Sequence, residues 1–444
     1  MKILRRGMRG PQVEMLQLAL IRAGYNINGT NGGIDGIFGE STWNAVTAFQ
    51  RNNGLNADGI AGQATWKKLL PYVTGYINYR IERNDTFYRI AKRFGTTSGA
   101  IATANPGLNP SNLPIGSVIT VPIGFYNGGS DVTYGRISYT WELLSLFIEG
   151  IKARYPFVQQ SSVGESVLGR KLYCLTVGKG ENTVLYNASH HANEWITTPV
   201  VLKYAENLAK QYAFGGSIGG YDAESIYNSG KIYFVPMVNP DGVDLVNGYF
   251  DADSTVYRSA KDLAENYPAI SFPDGWKANI SGVDLNLNYP AGWEQAKEIK
   301  FAQGFTLPGP RDYVGPFALS EPESIAMADF TRQNNFRLTI SYHTQGNVIY
   351  WKYLDYQPEN SYEIGRRMAD ASGYALELTP SASGYAGYKD WFIQEWNRPG
   401  YTVECGIGVN PLPVSQFDEI YAANEPIMTI GAVESFVRYL LTNG

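Results

Sequence analysis

Apolar and polar positions follow three different rhythms along this chain, and each change of rhythm marks a part. VEMLQLALIRAGY, from Val13, and WNAVTAFQRNNGL, from Trp43, carry apolar residues at helical spacing. An internal repeat surrounds the second run: IDGIFGESTWNAV, beginning at Ile34, recurs as ADGIAGQATWKKL, beginning at Ala57. Asp35-Gly36, Gly39 and Thr42-Trp43 thereby fall on Asp58-Gly59, Gly62 and Thr65-Trp66. The Asp-Gly pairs are turn signals, and Thr42 and Thr65 are each expected to cap the helix that follows. The pattern predicts a compact three-helix domain over residues 1–72.

The second rhythm reads strand, helix, helix, strand over 76–123. The YRI run from Tyr79 alternates, Asn84-Asp85-Thr86 caps a helix through Phe94, and SVITVP closes as a β-branched strand. Residues 124–135, rich in glycine and polar side chains, are expected to be a linker. From Arg136 to Gly444 the third rhythm sets in: the helical run ISYTWELLSLFIEGIKARYP leads into the strand candidates KLYCLTVG, NTVLYNAS, KIYFVPMV, RLTISYH and YTVEC. Helical stretches such as TTPVVLKYAENLAKQYAF and PESIAMADFTRQN lie between them. Strands alternating with helices predict an α/β domain with a mixed, mostly parallel sheet flanked by helices. The chain as a whole is expected to be multidomain.

Composition adds limits. A hydrophobic content of 44% with 17% charged residues is that of a globular chain. No apolar run is long enough to span a bilayer, and the opening MKILRRGMRG lacks the apolar stretch of a secretory signal peptide. The net charge of −5 is divided unevenly: residues 1–122 hold 13 Lys and Arg against 6 Asp and Glu, or +7, and the rest carries −12. A basic front end on an acidic body points to a polyanionic partner, for which bacterial wall, nucleic acid and anionic membrane all qualify. Cys174 and Cys405 sit in apolar runs and read as buried free thiols, although a single bond between them would also satisfy the count.

The chain has only three histidines, His190, His191 and His343. The first two follow strand NTVLYNAS and precede Glu194; the third ends strand RLTISYH. In a parallel sheet such strand ends converge on one crevice. Two imidazoles and a carboxylate form the three-ligand set of a hydrolytic zinc site with an open position for water, so one zinc ion is expected on His191, Glu194 and His343. Gly215-Gly-Ser217-Ile-Gly219 has the glycine spacing of a serine-hydrolase elbow, but it follows a helix where an elbow must follow a strand. No spacing singles out a glycosidase carboxylate pair.

With these motifs in view, three resemblances appear. The paired DGxxGxxT turns with the AFQ helix resemble a peptidoglycan-binding domain family. The ANP segment and LPIGSVITVP ending resemble the LysM domain, whose members bind N-acetylglucosamine-containing glycans. HHANEW, VNPDG, GVDLNLN, SYH and YTVEC, in that order, resemble the M14 metallocarboxypeptidase family. Carried over residue by residue, the last resemblance implies His191, Glu194 and His343 as zinc ligands and Glu404 as general base. It also implies Asp284 as the carboxylate orienting His191 and Lys277 as the cation facing the oxyanion, where family members place an arginine. Asn286 keeps the asparagine of the family's carboxylate clamp, but Leu287 replaces its arginine, and Asn193 stands where a second substrate-contacting arginine is expected. The DWFIQ segment aligns with the family's specificity-pocket strand, which puts Lys389 in position to meet an acidic side chain. Tyr385 and Tyr388 are the candidates for the family's mobile tyrosine.

These departures, with two wall-binding modules, resemble the γ-D-glutamyl-meso-diaminopimelate peptidases. The expected partner is then peptidoglycan, both glycan strands and stem peptides, rather than nucleic acid. The expected location is the cell wall or the extracellular space, or release during sporulation. Two other readings compete: a zinc carboxypeptidase releasing ordinary C-terminal residues, and a wall-binding protein without catalysis.

Overall fold

The structure, a computed structural model, describes residues 1–126 and 128–442, with side chains through Phe436. It divides into two compact units, Met1–Ser138 with Glu142–Gln159, and Tyr139–Trp141 with Gln160–Gly444.

The first unit opens with α1 (Pro11–Arg22), α2 (Glu40–Asn52) and α3 (Gln63–Thr74). A side-chain clamp repeats with the sequence. Gln17 of α1 donates to Asp35 Oδ1 (2.8 Å) and Thr42 Oγ1 (3.1 Å), and its Oε1 accepts from the Gly36 amide (2.9 Å). Gln50 of α2 does the same with Asp58 Oδ1 (2.9 Å), Thr65 Oγ1 (3.1 Å) and the Gly59 amide (2.8 Å). The two threonines are therefore not caps, as the sequence suggested. Gly39 and Gly62 hold the cap positions in extended conformation, and each threonine turns inward from the first helical turn to meet a buried glutamine. Gly59, at φ +72, cannot be replaced without collision, because a Cβ there would strike the Trp43 indole.

Next come β1 (Tyr76–Arg80), α4 (Phe87–Arg93), α5 (Ser98–Ala104) and β2 (Val118–Pro122), with β1 and β2 antiparallel. Thr86 and Thr97 cap the two helices through the amides of Arg89 (3.2 Å) and Ala100 (3.0 Å). Asn105 of the ANP segment donates to the carbonyls of Ile101 and Thr120 (both 2.7 Å), tying the end of α5 to β2 over a core of Tyr79, Phe87, Ile90, Ile101 and Val121. The segment read as a linker is folded into this unit, with Phe125 and Val132 buried. Arg22 donates to the Val132 carbonyl (2.8 Å) and lies 4.2 Å from the Phe125 ring centroid. Arg154, at the end of α6 (Trp141–Arg154), donates to the carbonyl of Ser130 as well as to those of Gly75 (3.0 Å) and Ile123 (2.7 Å). Two distant arginines thus satisfy a backbone whose own composition reads as free coil.

The second unit is built on an eight-stranded sheet. Its strands are β3 (Gln159–Glu165), β4 (Lys171–Gly178), β5 (Asn182–Ala188), β8 (Gly230–Val235), β9 (Phe336–His343), β10 (Val348–Tyr350), β11 (Ala375–Glu377) and β12 (Gly400–Glu404); a separate ladder pairs β6 (Ser217–Ile218) with β7 (Tyr221–Asp222). The order across the sheet is β11-β10-β12-β9-β5-β8-β4-β3. The strands β12, β9, β5 and β8 run parallel, whereas β4 and β10 are antiparallel to their neighbours β8 and β12. Ser217 lies in the two-residue ladder after a helix, so the elbow geometry is absent there.

The helices of this unit are α7 (Thr197–Phe214), α8 (Ala223–Ser229), α9 (Pro240–Val246), α10 (Thr255–Ala264), α11 (Trp293–Ala302), α12 (Pro322–Gln333), α13 (Ser361–Ser372), α14 (Tyr388–Trp396) and α15 (Phe417–Thr442). Alternation along β5 sends its side chains to two layers. Leu185 joins Val235, Met327, Trp391 and Phe392, and Tyr186 donates its hydroxyl to the Met428 carbonyl (2.6 Å) of α15. The DWFIQ segment is helical, not a strand. A short apolar run fits either element, and here Gly387 in extended conformation and left-handed Asn397 bound a helix that buries Trp391, Phe392 and Ile393. Cys174 and Cys405 are free and buried.

Replacing Gln50 by Leu is expected to raise hydrogen exchange at the Gly59 amide by roughly 10-fold or more, since a lost buried partner costs about 1–3 kcal/mol. Unchanged protection by mass spectrometry would show that the clamp does not hold the turn.

Candidate metal centre

Three parallel strands deliver the chemistry to one edge of the sheet. Beyond β5 the chain turns through Ser189, at φ +54, and a short 3-10 turn over Ala192–Glu194 brings Glu194 back beside His191. Thr197 locks this turn by donating to the Glu194 carbonyl (2.7 Å), and the Ala192 amide donates to the Lys277 carbonyl (3.0 Å). His343 is the last residue of β9, and register places Glu404, the last of β12, beside it. Four side chains from three stretches therefore meet because parallel strands end together.

The donor atoms of His191, Glu194 and His343 lie within 4.8 Å of one another, a spacing that could hold one metal ion. His191 Nδ1 is 3.0 Å from Glu194 Oε1 and 3.2 Å from His343 Nδ1, and His343 Nδ1 is 2.9 Å from Glu194 Oε2. Tetrahedral zinc bonds of about 2.0–2.1 Å put neighbouring donors about 3.3 Å apart, so the three atoms already stand near the edges of such a site. His190 is a core residue instead: it is fully buried, its Nε2 meets the Tyr289 hydroxyl (3.0 Å), and burial holds its pKa well below the ordinary value.

Charge follows the same plan. Burial opposes ionisation of Glu194, but His191 and Lys277 outweigh it and hold the carboxyl well below the usual range. Lys277 Nζ sits 2.8 Å from Glu194 Oε1, and Asn410 Nδ2 and the Thr344 amide also donate to that carboxylate, at 3.4 and 3.2 Å. Burial lowers the His343 pKa, favouring the neutral imidazole a metal requires. For His191 burial pulls the same way, yet Glu194 and Asp284 push its pKa up to about 9, so a cation binding there displaces a proton. Burial, with Glu194 second, pushes Glu404 up to about 8.

Asp284 meets His191 Nε2 at 3.0 Å through Oδ1, which leaves Nδ1 as the free donor. The other oxygen accepts from the Asp312 amide (3.2 Å). Asn279 knots the loop that carries Lys277 and Asp284: its Oδ1 accepts from the amides of Ser281 and Val283 (both 3.1 Å), and its Nδ2 donates to Glu321 (2.7 Å) and Glu323 (3.1 Å).

A cleft of about 230 Å³ opens onto this cluster, lined by His191, Lys277, Asp284, Asn286, Leu287, Arg311, Lys389 and Glu404 among others. Not every expected substrate contact reaches it as expected. Asn193 is buried outside the lining and donates to the Asp274 carbonyl (3.0 Å). Lys389 reaches the cleft, but burial has given it a counter-charge: its ammonium lies 2.6 Å from Asp390 Oδ1 and donates to Lys352 O (2.8 Å) and Thr379 Oγ1 (3.2 Å). Tyr388 is fully buried in α14 with its hydroxyl on Thr331 (2.8 Å), which leaves it no path into the cleft. Tyr385 lines a neighbouring space of about 190 Å³ that shares Thr379 and Asp390 with the cleft. Sequence reasoning missed Arg311, Lys300 and Asp312 of the lining and also Thr344 and Asn410. Lys300 lies in α11 with nothing in the helical pattern to single it out, and the others stand in irregular segments without periodicity; the positive φ of Asp312 is not announced by the sequence.

Comparison with known proteins bears on each part. The sequence pattern of the family described as zinc carboxypeptidase matches residues 144–424, that of a peptidoglycan binding domain matches 9–69, and that of the LysM domain matches 79–122. The chain is 43% identical over 287 residues to gamma-D-glutamyl-L-diamino acid endopeptidase 1 of Lysinibacillus sphaericus, covering 65% of this chain and 70% of that protein. It is 25% identical over 319 residues to carboxypeptidase B of Bos taurus, covering 67% and 70%. The crystal structure of carboxypeptidase A from Helicoverpa armigera shares the fold, with a TM-score of 0.52 at 17% identity over 79% of this chain and 80% of that one.

Replacing Asp284 by Ala is expected to weaken zinc binding roughly 10–100-fold, because the imidazole loses the partner that fixes its tautomer. Chelator competition measures this; an unaltered affinity would remove Asp284 from the metal centre.

Proposed function

Because the chain belongs to the zinc carboxypeptidase family, we propose that it hydrolyses the amide bond between a γ-linked D-glutamyl residue and meso-diaminopimelate in peptidoglycan stem peptides. The observation that carries the chemistry is the meeting of His191, Glu194 and His343 at a cleft that His191 and Glu404 both line. The substrate class is supported by the endopeptidase relative and by the peptidoglycan-binding and LysM modules ahead of the peptidase. Those modules indicate peptidoglycan binding and cell-wall association; delivery during sporulation is part of the proposal. Tethered binding domains raise the local substrate concentration at the active site without adding contacts there.

In this reading His191, Glu194 and His343 hold the zinc, and Asp284 fixes the His191 ring. Bound zinc supplies a Lewis acid and a water of pKa near 7. Glu404 accepts the proton of the attacking water and returns it to the leaving nitrogen. The Lys277 ammonium, on the same wall, offsets negative charge that develops on the carbonyl oxygen. A point charge serves there, whereas clamping a planar carboxylate favours a guanidinium. Leu287, without one, disfavours release of ordinary C-terminal residues.

Defined muropeptides incubated with the zinc-loaded protein should be cut at the γ-D-glutamyl bond, as read by mass spectrometry. Glu404→Gln should reduce the rate roughly 100-fold or more while zinc stays bound. Release of single C-terminal residues, with muropeptides and end-blocked peptides untouched, would establish the carboxypeptidase reading instead.

A further inference from the structure

Four Lys and Arg side chains line the cleft, and the ammonium of each of the three lysines sits on a carboxylate. Lys277 Nζ lies 2.8 Å from Glu194, Lys389 Nζ 2.6 Å from Asp390, and Lys300 Nζ 2.6 Å from Asp312. Arg311 differs. Its Nε donates to Asp312 Oδ2 (2.6 Å), and among the described residues no acceptor meets its two terminal nitrogens. Its side chain is 41% exposed, where those of the three lysines are 17% exposed or less. Four N–H donors in a planar fork thus face the same space as Glu404 and the metal-binding cluster.

The fork is also held in place. The Pro310 carbonyl accepts from the amides of Lys277 (2.7 Å) and Ala278 (2.9 Å), and the Tyr313 carbonyl accepts from the Asp284 amide (2.8 Å). Asp312, at φ +65, is fixed by its amide on Asp284 and by Lys300 on its carboxylate. Backbone in that region is costly for a residue with a Cβ and persists where its surroundings over-determine it. The segment bearing Arg311 is therefore stitched to the two loops that carry Lys277 and Asp284, so its guanidinium keeps a set position relative to the reacting bond.

We propose that Arg311 is the specificity-determining residue of the cleft, binding a free carboxylate of the substrate beside the scissile amide. Its planar fork matches a carboxylate through two parallel hydrogen bonds, which a lysine cannot reproduce. A γ-linked glutamyl residue presents such a group, because linkage through the side chain leaves the α-carboxylate free on the acyl side. The diamino acid offers a second carboxylate on the leaving side. The inference rests on the γ-glutamyl reading above and names the side chain that reads a free carboxylate of that substrate.

The test measures kcat/KM of the zinc-loaded full chain on L-alanyl-γ-D-glutamyl-L-lysine with both carboxylates free, with the glutamyl α-carboxylate amidated, and with the lysine carboxylate amidated. Wild type should prefer the free acid over one of the two amides by roughly 10–100-fold, which names the carboxylate that is read. Arg311→Leu should collapse that preference toward unity, and Arg311→Lys should keep only part of it. Equal losses on all three peptides, a preference that survives in Arg311→Leu, or no preference in wild type would overturn the proposal. The affinities of the same peptides for Glu404→Gln with and without Arg311→Leu give a readout that needs no turnover. If wild type cuts no γ-D-glutamyl bond the functional reading falls, and the binding ratio alone then decides on Arg311: lost with Leu it stands, unchanged it fails.

Discussion

A single buried carboxylate governs the second unit. Glu194 is 1% exposed, and its oxygens are surrounded by two imidazoles, an ammonium, an amide side chain and a backbone N–H. An ionised group in that position is tolerable only while its partners stay in place; removing one partner of a buried pair costs about 3–5 kcal/mol. Those partners come from the β5 turn, the β9 terminus, the loop at Lys277 and the segment near Asn410. The fold around them therefore has to present donors to one point, and a divalent cation is the partner that matches the donor set best.

The second layer of organisation is backbone-to-backbone. The stretches 276–284 and 310–313 pair through carbonyls and amides, and Asn279 pins the first of them to Glu321 and Glu323. Burial, opposed only in part by hydrogen bonds, pushes the Glu323 carboxyl up to about 7, so this anchor works as a packed, hydrogen-bonded group more than as a charge. Because the same stretches supply Lys277, Asp284 and Arg311, the groups proposed for catalysis and for substrate selection share one scaffold. A rigid frame of this kind holds reacting groups at set distances from a bond in the cleft, which is where proximity contributes most.

What could be read in the sequence follows from the range of the interactions. The two-copy turn, the helix cap at Thr86 and the strands ending in His343 and Glu404 depend on neighbours in sequence, and periodicity shows them. The zinc donor set was legible for a related reason: with three histidines in the chain, few combinations fit the ends of strands. Thr42 and Thr65 were misread because the glutamines that claim them lie 25 and 15 residues upstream. The 124–135 segment was misread because Arg22 and Arg154 satisfy it from a distance. Lys389 was read as a free cation because its neighbour Asp390 gives no sign in sequence of turning toward it. Arg311 was missed altogether, since its meaning depends on a loop-to-loop pairing that no local pattern encodes.

The closing of three side chains around one zinc ion is most directly tested by anomalous diffraction at the zinc edge from crystals of the full chain. The expected result is one peak bonded to His191 Nδ1, His343 Nδ1 and the Glu194 carboxylate, at about 2.0–2.2 Å from each. A peak on other residues, or a zinc bound to His343 with His191 and Glu194 turned away, would contradict the assignment.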